Sequence, residues 1–83
     1  MKGFELKNFV IANDIEYHWY EDDVIMFVDL IYIEEFNDLL GNTIFDDDGI
    51  ECTMKKGYFC FYMKDICDYY GIDINYVFTD KNK

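Results

Sequence analysis

The stretch that decides the fold is residues 15–41, IEYHWYEDDVIMFVDLIYIEEFNDLLG. Apolar and polar residues alternate over residues 15–20, which predicts a half-buried strand. Residues 24–31 are apolar on both faces except at Asp29, a pattern typical of a central strand. The stretch therefore begins with two strands joined by a short acidic connection.

From residue 33 the apolar spacing becomes that of a helix. The apolar residues stand at i, i+3, i+6 and i+7, and they are Ile33, Phe36, Leu39 and Leu40. Glu34 and Glu35 favour the start of a helix because they complement its dipole. Gly41 is typical of the position just after a helix end. We therefore predict a helix over residues 33–40.

The same pattern recurs thirty residues later, where residues 62–71 align with residues 32–41 without a gap. This predicts a second helix over residues 63–70, ended by Gly71. A hairpin of residues 50–55 and 58–62 precedes it, with its turn at Lys56 and Gly57. The sequence leaves two explanations of the match open. Either the chain contains two tandem βββα units, or two short helices share the residue pattern that short helices commonly have.

The remaining segments complete a prediction of one domain over residues 1–83, which is the length of the chain. Residues 3–11 are predicted as a first strand with Phe4, Leu6 and Val10 on one face. Further expectations are a strand at 43–45, an Asp-Gly turn at 46–49, and a short strand or turn at 73–78. The predicted fold class is α+β, a mostly antiparallel sheet with two short helices.

The acidic residues form a block rather than an even coating. Residues 8–54 contain thirteen carboxylates and no lysine or arginine, within a chain of formal net charge −11. Such a protein is repelled by nucleic acids and anionic membranes and attracted to basic surfaces, which in cells are mostly nucleic-acid-binding sites. We therefore expect a basic protein partner, and neither nucleic acid nor a membrane as a direct one.

Catalytic and metal-binding patterns are not found. The chain has no serine and one histidine, His18, which alternates along a predicted strand and is interpreted as a surface residue. Its cysteines, Cys52, Cys60 and Cys67, contain no C-x-x-C pair; with the hairpin turning at 55–57, Cys52 would face Cys60, either as two thiols or as a disulfide. The segment 46–51 lacks the spacing of a calcium loop. We predict a cytoplasmic, non-enzymatic protein without a cofactor.

The chain resembles the small acidic phage-encoded inhibitors of the anti-CRISPR and antirestriction type. The resemblance lies in its size, its block of acidic residues and an amino-acid composition that suits an AT-rich coding sequence. The resemblance includes no sequence motif. It implies an inhibitor that occupies the nucleic-acid-binding surface of a CRISPR effector such as Cas9, whose PAM-reading arginines suit clustered carboxylates. The alternative is an acidic interaction or assembly module of a phage or mobile element, and the sequence leaves monomer and homodimer open.

The candidate partner-binding residues are chosen by charge and by their place in turns or on a helix face. They are Glu21, Asp22, Asp23, Glu34, Glu35, Asp38, Asp46, Asp47, Asp48 and Glu51. Tyr20 and Tyr32, if exposed, would add anchoring area.

Overall fold

The computed structural model describes residues 2–40, 50–51 and 56–79. These form helices and strands separated by short turns, with a 3-10 turn at Leu30–Tyr32. The elements are α1 (Lys2–Ala12), β1 (Glu16–Tyr20), β2 (Asp23–Asp29), α2 (Ile33–Leu40), β3 (Ile50–Glu51), β4 (Tyr58–Tyr62), α3 (Met63–Tyr70) and α4 (Ile74–Val77). The predicted strand at 43–45 and turn at 46–49 lie outside the described residues.

The strands form one antiparallel sheet in the order β1-β2-β4-β3. The predicted β1–β2 hairpin is confirmed, and its turn places Glu21 at φ 56°, in the left-handed region. The predicted central strand is confirmed in β2, which pairs with β1 on one side and β4 on the other, although it ends at Asp29. The α+β class with an antiparallel sheet is therefore confirmed.

The first predicted strand is wrong, because residues Lys2–Ala12 form helix α1. Its buried residues Leu6, Phe9 and Val10 stand at i, i+3 and i+4, which is the spacing of one helix face. Phe4, which the strand interpretation placed beside Leu6 and Val10, is 53% exposed. The first half of the chain is therefore not a βββα unit.

Of the predicted repeat, only a strand followed by a helix occurs twice, as β2 with α2 and as β4 with α3. Helices α2 and α3 have the predicted bounds, 33–40 and 63–70. Because β2 and β4 are antiparallel neighbours, the two helices begin at opposite ends of the sheet. The predicted short strand or turn at 73–78 is instead the single helical turn α4, whose N-cap Asp73 accepts from the backbone N–H of Asn75 at 2.9 Å.

Helices and sheet share one hydrophobic core. Phe36 lies at its centre, stacked on Phe9 with ring centroids 5.5 Å apart and edge-on to Phe61 at 5.0 Å. Phe78 packs edge-on against Tyr17 at 4.9 Å. All the described helices contribute to the same cluster as one face of the sheet, so they cover that face.

Gly71 ends α3 in the left-handed conformation, with φ 67° and ψ 32°. A side chain at this φ is strained, so we expect Gly71→Ala to lower the free energy of unfolding by about 1–2 kcal/mol. The control is Gly3→Ala within α1. The added Cβ would lie 3.6 Å from Ile72 Cγ2, which is an ordinary van der Waals contact. Urea unfolding measures both variants, and equal stabilities would contradict this role of Gly71.

Candidate functional site

The sheet has a second face that no described helix covers. We call it the open face; its side chains alternate with the buried ones along each strand. Its members are Glu16, His18, Tyr20, Asp23, Ile25, Phe27, Asp29, Tyr58, Cys60 and Tyr62. Tyr20 is 68% and Tyr62 49% exposed. Tyr20 stands opposite Asp23 in the outermost pair and Tyr62 stands opposite Ile25 in the next row, so both exposed tyrosines lie toward the end of the open face nearest the β1–β2 turn.

At one end of the open face, the β1–β2 turn carries the predicted site residues Glu21, Asp22 and Asp23. Glu21 and Asp22 are exposed. Asp22 Oδ2 accepts from Lys64 Nζ at 2.5 Å. This hydrogen bond and the charge of the ammonium group lower the pKa of Asp22 from its ordinary 3.8 and raise that of Lys64. The contribution of the pair to stability is thus present above pH 3.8 and is lost as the pH falls below it.

Asp23 has a structural task at this end. Its Oδ1 accepts from the backbone N–H of Val24 at 2.7 Å and of Lys64 at 2.9 Å, so β2 supplies an acceptor for the first turn of α3. The N-cap of α3, Tyr62, makes no side-chain capping hydrogen bond, and Asp23 fulfils that function from another strand.

We therefore expect Asp23→Ala to destabilise the fold by about 1 kcal/mol, within the 0.5–2 kcal/mol range of helix caps. Asp23→Asn keeps an oxygen acceptor and should recover most of the loss. Thermal or urea unfolding compares the two variants. A loss in Asp23→Asn as large as in Asp23→Ala would show that charge, not the acceptor, matters.

At the other end of the open face lies a cleft of about 280 Å³. It forms where α1 ends, β1 begins, β2 ends and β4 begins. Its lining includes three carboxylates and three aromatic rings, from Asp14, Glu16, Phe27, Asp29, Tyr32 and Tyr58. The hairpin register sets Glu16 opposite Phe27, and the next strand pair sets Asp29 opposite Tyr58.

Two of the three carboxylates of the cleft, Asp29 and Glu16, make local hydrogen bonds. Asp29 Oδ1 accepts from the backbone N–H of Ile31 at 3.1 Å, which caps the 3-10 turn. Glu16 Oε2 lies 2.9 Å from His18 Nε2. Asp14 has φ 48°, a left-handed conformation that aspartate tolerates better than most residues. The fold therefore fixes where these charges stand relative to the rings.

One of the three predicted residues of α2, Glu35, lies beside the cleft. Glu34, Glu35 and Asp38 are all exposed. Glu35 Oε2 accepts from Asn13 Nδ2 at 3.2 Å, and Asn13 lines the cleft. Glu35 thus extends the acidic end, whereas the turn residues around Asp22 lie at the far end of β2.

The structure therefore divides the predicted site. Glu21, Asp22 and Asp23 lie at one end of the sheet, and Glu35 lies with the cleft at the other. Predicted residues Asp46, Asp47 and Asp48 lie outside the described residues, and Glu51 is described only as the backbone partner of Phe59.

Sequence reasoning missed the cleft residues Asp14, Glu16 and Asp29 as site residues, although it counted them in the acidic block. A hairpin turning at residues 21 and 22 already sets Glu16 opposite Phe27. That pairing was the one signal in the sequence for a carboxylate beside a ring. The predicted anchor Tyr20 is exposed, and Tyr32 is half-buried in the cleft.

Two lysines lie on the helical side of the molecule. Lys2 Nζ donates to the carbonyl of Leu39 at 3.2 Å and lies 5.5 Å from the ring centre of Tyr70. Lys7 Nζ lies 4.4 Å above the ring of Tyr76. No lysine is among the open-face residues defined above. With Lys64 the described helices carry three lysines, but they also carry six acids, so the helical layer is not basic; the acids are Glu5, Glu34, Glu35, Asp38, Asp65 and Asp68.

His18 is a surface residue and Cys67 is a core residue, whereas Cys60 is half-buried on the open face. His18 is exposed, as predicted. Burial, and then the neighbouring charge of Asp68, raise the pKa of the Cys67 thiol to about 12, so it is a poor nucleophile at neutral pH. Cys60 pairs with Ile50 rather than facing Cys52 as predicted, because the register differs by two residues.

No three His, Cys, Asp or Glu side chains within residues 2–40 and 56–79 are arranged to hold a metal ion. None of the helices that the structure describes has the length and apolar character needed to cross a membrane. Neither a protein-family model, nor a curated protein, nor a solved structure matches the chain.

Proposed function

We propose that the protein is a non-enzymatic inhibitor that binds the basic nucleic-acid-binding surface of a CRISPR effector such as Cas9, in the cytoplasm of the host bacterium. One observation carries the proposal: the open face presents carboxylates at both of its ends. The exposed turn residues Glu21 and Asp22 stand at one end of β2 and Asp29 at the other, and from Asp23 to Asp29 the strand spans about 20 Å at 3.3 Å per residue. That distance corresponds to about six nucleotide steps of B-DNA at 3.4 Å per strand.

The exposed tyrosines of the open face support a protein as the partner. Tyr20 and Tyr62 are both substantially exposed. Tyrosine is enriched among the residues that dominate binding energy at protein interfaces, since it buries a large area at low entropy cost. Carboxylates would guide encounter with a basic groove, and tyrosines would hold the complex.

The test is capture from a lysate of a bacterium rich in CRISPR and restriction nucleases, eluted by a series of salt steps. We expect a nuclease to elute between low and moderate salt, because binding that neutralises many charges weakens steeply with salt. The purified nuclease should then lose DNA cleavage on titration with the protein. Capture of no nuclease at low salt, or a captured nuclease with unchanged cleavage, would contradict the proposal.

A second candidate function, an assembly module that binds a copy of itself, is favoured by a different observation. Ile11, Leu30 and Ile31 are large apolar side chains that are each more than half exposed. Such side chains favour burial in an interface. This function predicts self-association that persists in high salt, since burial of apolar surface is not screened. Sedimentation at low and high salt therefore separates the two candidates.

A further inference from the structure

We propose that the cleft receives the side chain of an arginine from the partner protein. The inference rests on the proposed function and adds to it the chemistry of the group that is recognised. It depends on the walls, charge and size of the cleft.

The walls of the cleft suit a planar cation. Phe27, Tyr32 and Tyr58 come from a strand, the 3-10 turn and a second strand, and all three line the same space. Aromatic faces attract cations through their quadrupole, and arginine is the commoner partner in proteins. Its guanidinium is planar and weakly hydrated, so it stacks on rings where an ammonium group would not.

The charge of the cleft matches the same group. Asp14, Glu16 and Asp29 bring three carboxylates to its lining, and none of the described residues in that lining is basic. Asp29 accepts one hydrogen bond, from the backbone of Ile31. A carboxylate has about four acceptor positions, so Asp29 retains capacity for a fork of N–H donors. A guanidinium in the cleft would stack on an aromatic ring and donate hydrogen bonds to a carboxylate.

The size of the cleft suits a single side chain. Its volume of about 280 Å³ stands at the lower edge of the roughly 300–1,000 Å³ range of ligand pockets. A metal ion is a poorer occupant, since the described side chains include no group of three ligands placed to bind one. A single arginine side chain entering from the open face is the occupant that fits both volume and charge.

The test uses amide NMR spectra of the full chain titrated with blocked amino acids: N-acetyl-arginine amide, its lysine analogue and its citrulline analogue. Citrulline has nearly the shape of arginine without the charge. We expect arginine to shift the amide signals of the cleft residues and to bind about tenfold more tightly than the other two. Equal binding by lysine or citrulline would overturn the proposal.

Two triple variants locate the binding. Asp14→Asn/Glu16→Gln/Asp29→Asn preserves the shape of the cleft and removes its charge, and we expect it to abolish the shifts caused by arginine. Glu5→Gln/Asp65→Asn/Asp68→Asn removes the same charge from exposed positions outside the cleft lining, and should retain them. Loss in the second variant, or retention in the first, would show that arginine binds by general charge and would overturn the assignment to the cleft.

This experiment separates the cleft from the proposed function. Failure of the arginine probe while a nuclease is still inhibited would remove the cleft assignment and leave the inhibitor. An intact response to arginine, in a protein that inhibits no captured nuclease, would remove the inhibitor and leave a cleft that recognises arginine.

Discussion

Phe36→Ala is expected to lower the free energy of unfolding by about 3–5 kcal/mol, the range of large-to-small changes in a packed core. Phe36 has no exposed surface and contacts rings from both α1 and β4, through Phe9 and Phe61. Its removal leaves a cavity between helices and sheet that neither layer can fill alone. A domain of 83 residues has a total stability of about 4–12 kcal/mol, so the loss is a large fraction of that total and should move the unfolding midpoint to a much lower urea concentration.

Urea unfolding followed by the fluorescence of Trp19 measures this change. Trp19 is a suitable reporter because its indole N–H donates to the carbonyl of Phe78 at 3.1 Å across the core. Phe4→Ala is the matched control, since Phe4 is exposed on α1, and it should change stability by less than about 1 kcal/mol. Similar losses in the two variants would contradict the placement of Phe36 at the centre of the core.

The second large effect is expected for binding. Reversing two acids beside the cleft, as Glu16→Lys/Glu35→Lys, should weaken binding to the captured nuclease at least about a hundredfold, because each lysine would face a basic surface. Glu5→Lys/Asp65→Lys is the control, with the same change in charge at exposed helix positions outside the cleft lining. Its affinity should change much less.

Both variants are first checked for an unchanged unfolding midpoint. Affinity is then measured by calorimetry at one fixed salt concentration, because charge effects depend on salt. Equal loss of affinity in the two double variants would show that net charge, and not the cleft end of the open face, determines binding.

The elements with one unambiguous periodicity were predictable from the sequence. Helices α2 and α3 have their predicted bounds because each contains apolar residues at helical spacing along its whole length. Helix α1 was missed because Phe4, Leu6 and Val10 satisfy a strand pattern, whereas Leu6, Phe9 and Val10 satisfy a helical one. The local sequence does not choose between them; burial against Phe36 does.

The sequence predicted that the site would be acidic, but it did not predict which carboxylates the fold brings together. The hairpin turn sets Glu16 beside Phe27, but the pairing of β2 with β4 that sets Asp29 opposite Tyr58 is long-range. Asp23 was chosen as a site residue for its charge, but the structure gives it a structural role. One of its carboxylate oxygens accepts hydrogen bonds from two backbone N–H groups. Counting acids along a chain does not separate such structural acids from those that face a partner.

Competition with DNA tests whether the open face occupies a nucleic-acid-binding surface. The captured nuclease is loaded with its guide, and its affinity for the protein is measured from low to moderate salt, with and without target DNA. The proposed function predicts that log K falls linearly with log salt and that DNA and protein exclude each other. Affinity that is independent of salt, or simultaneous binding of DNA and protein, would contradict it.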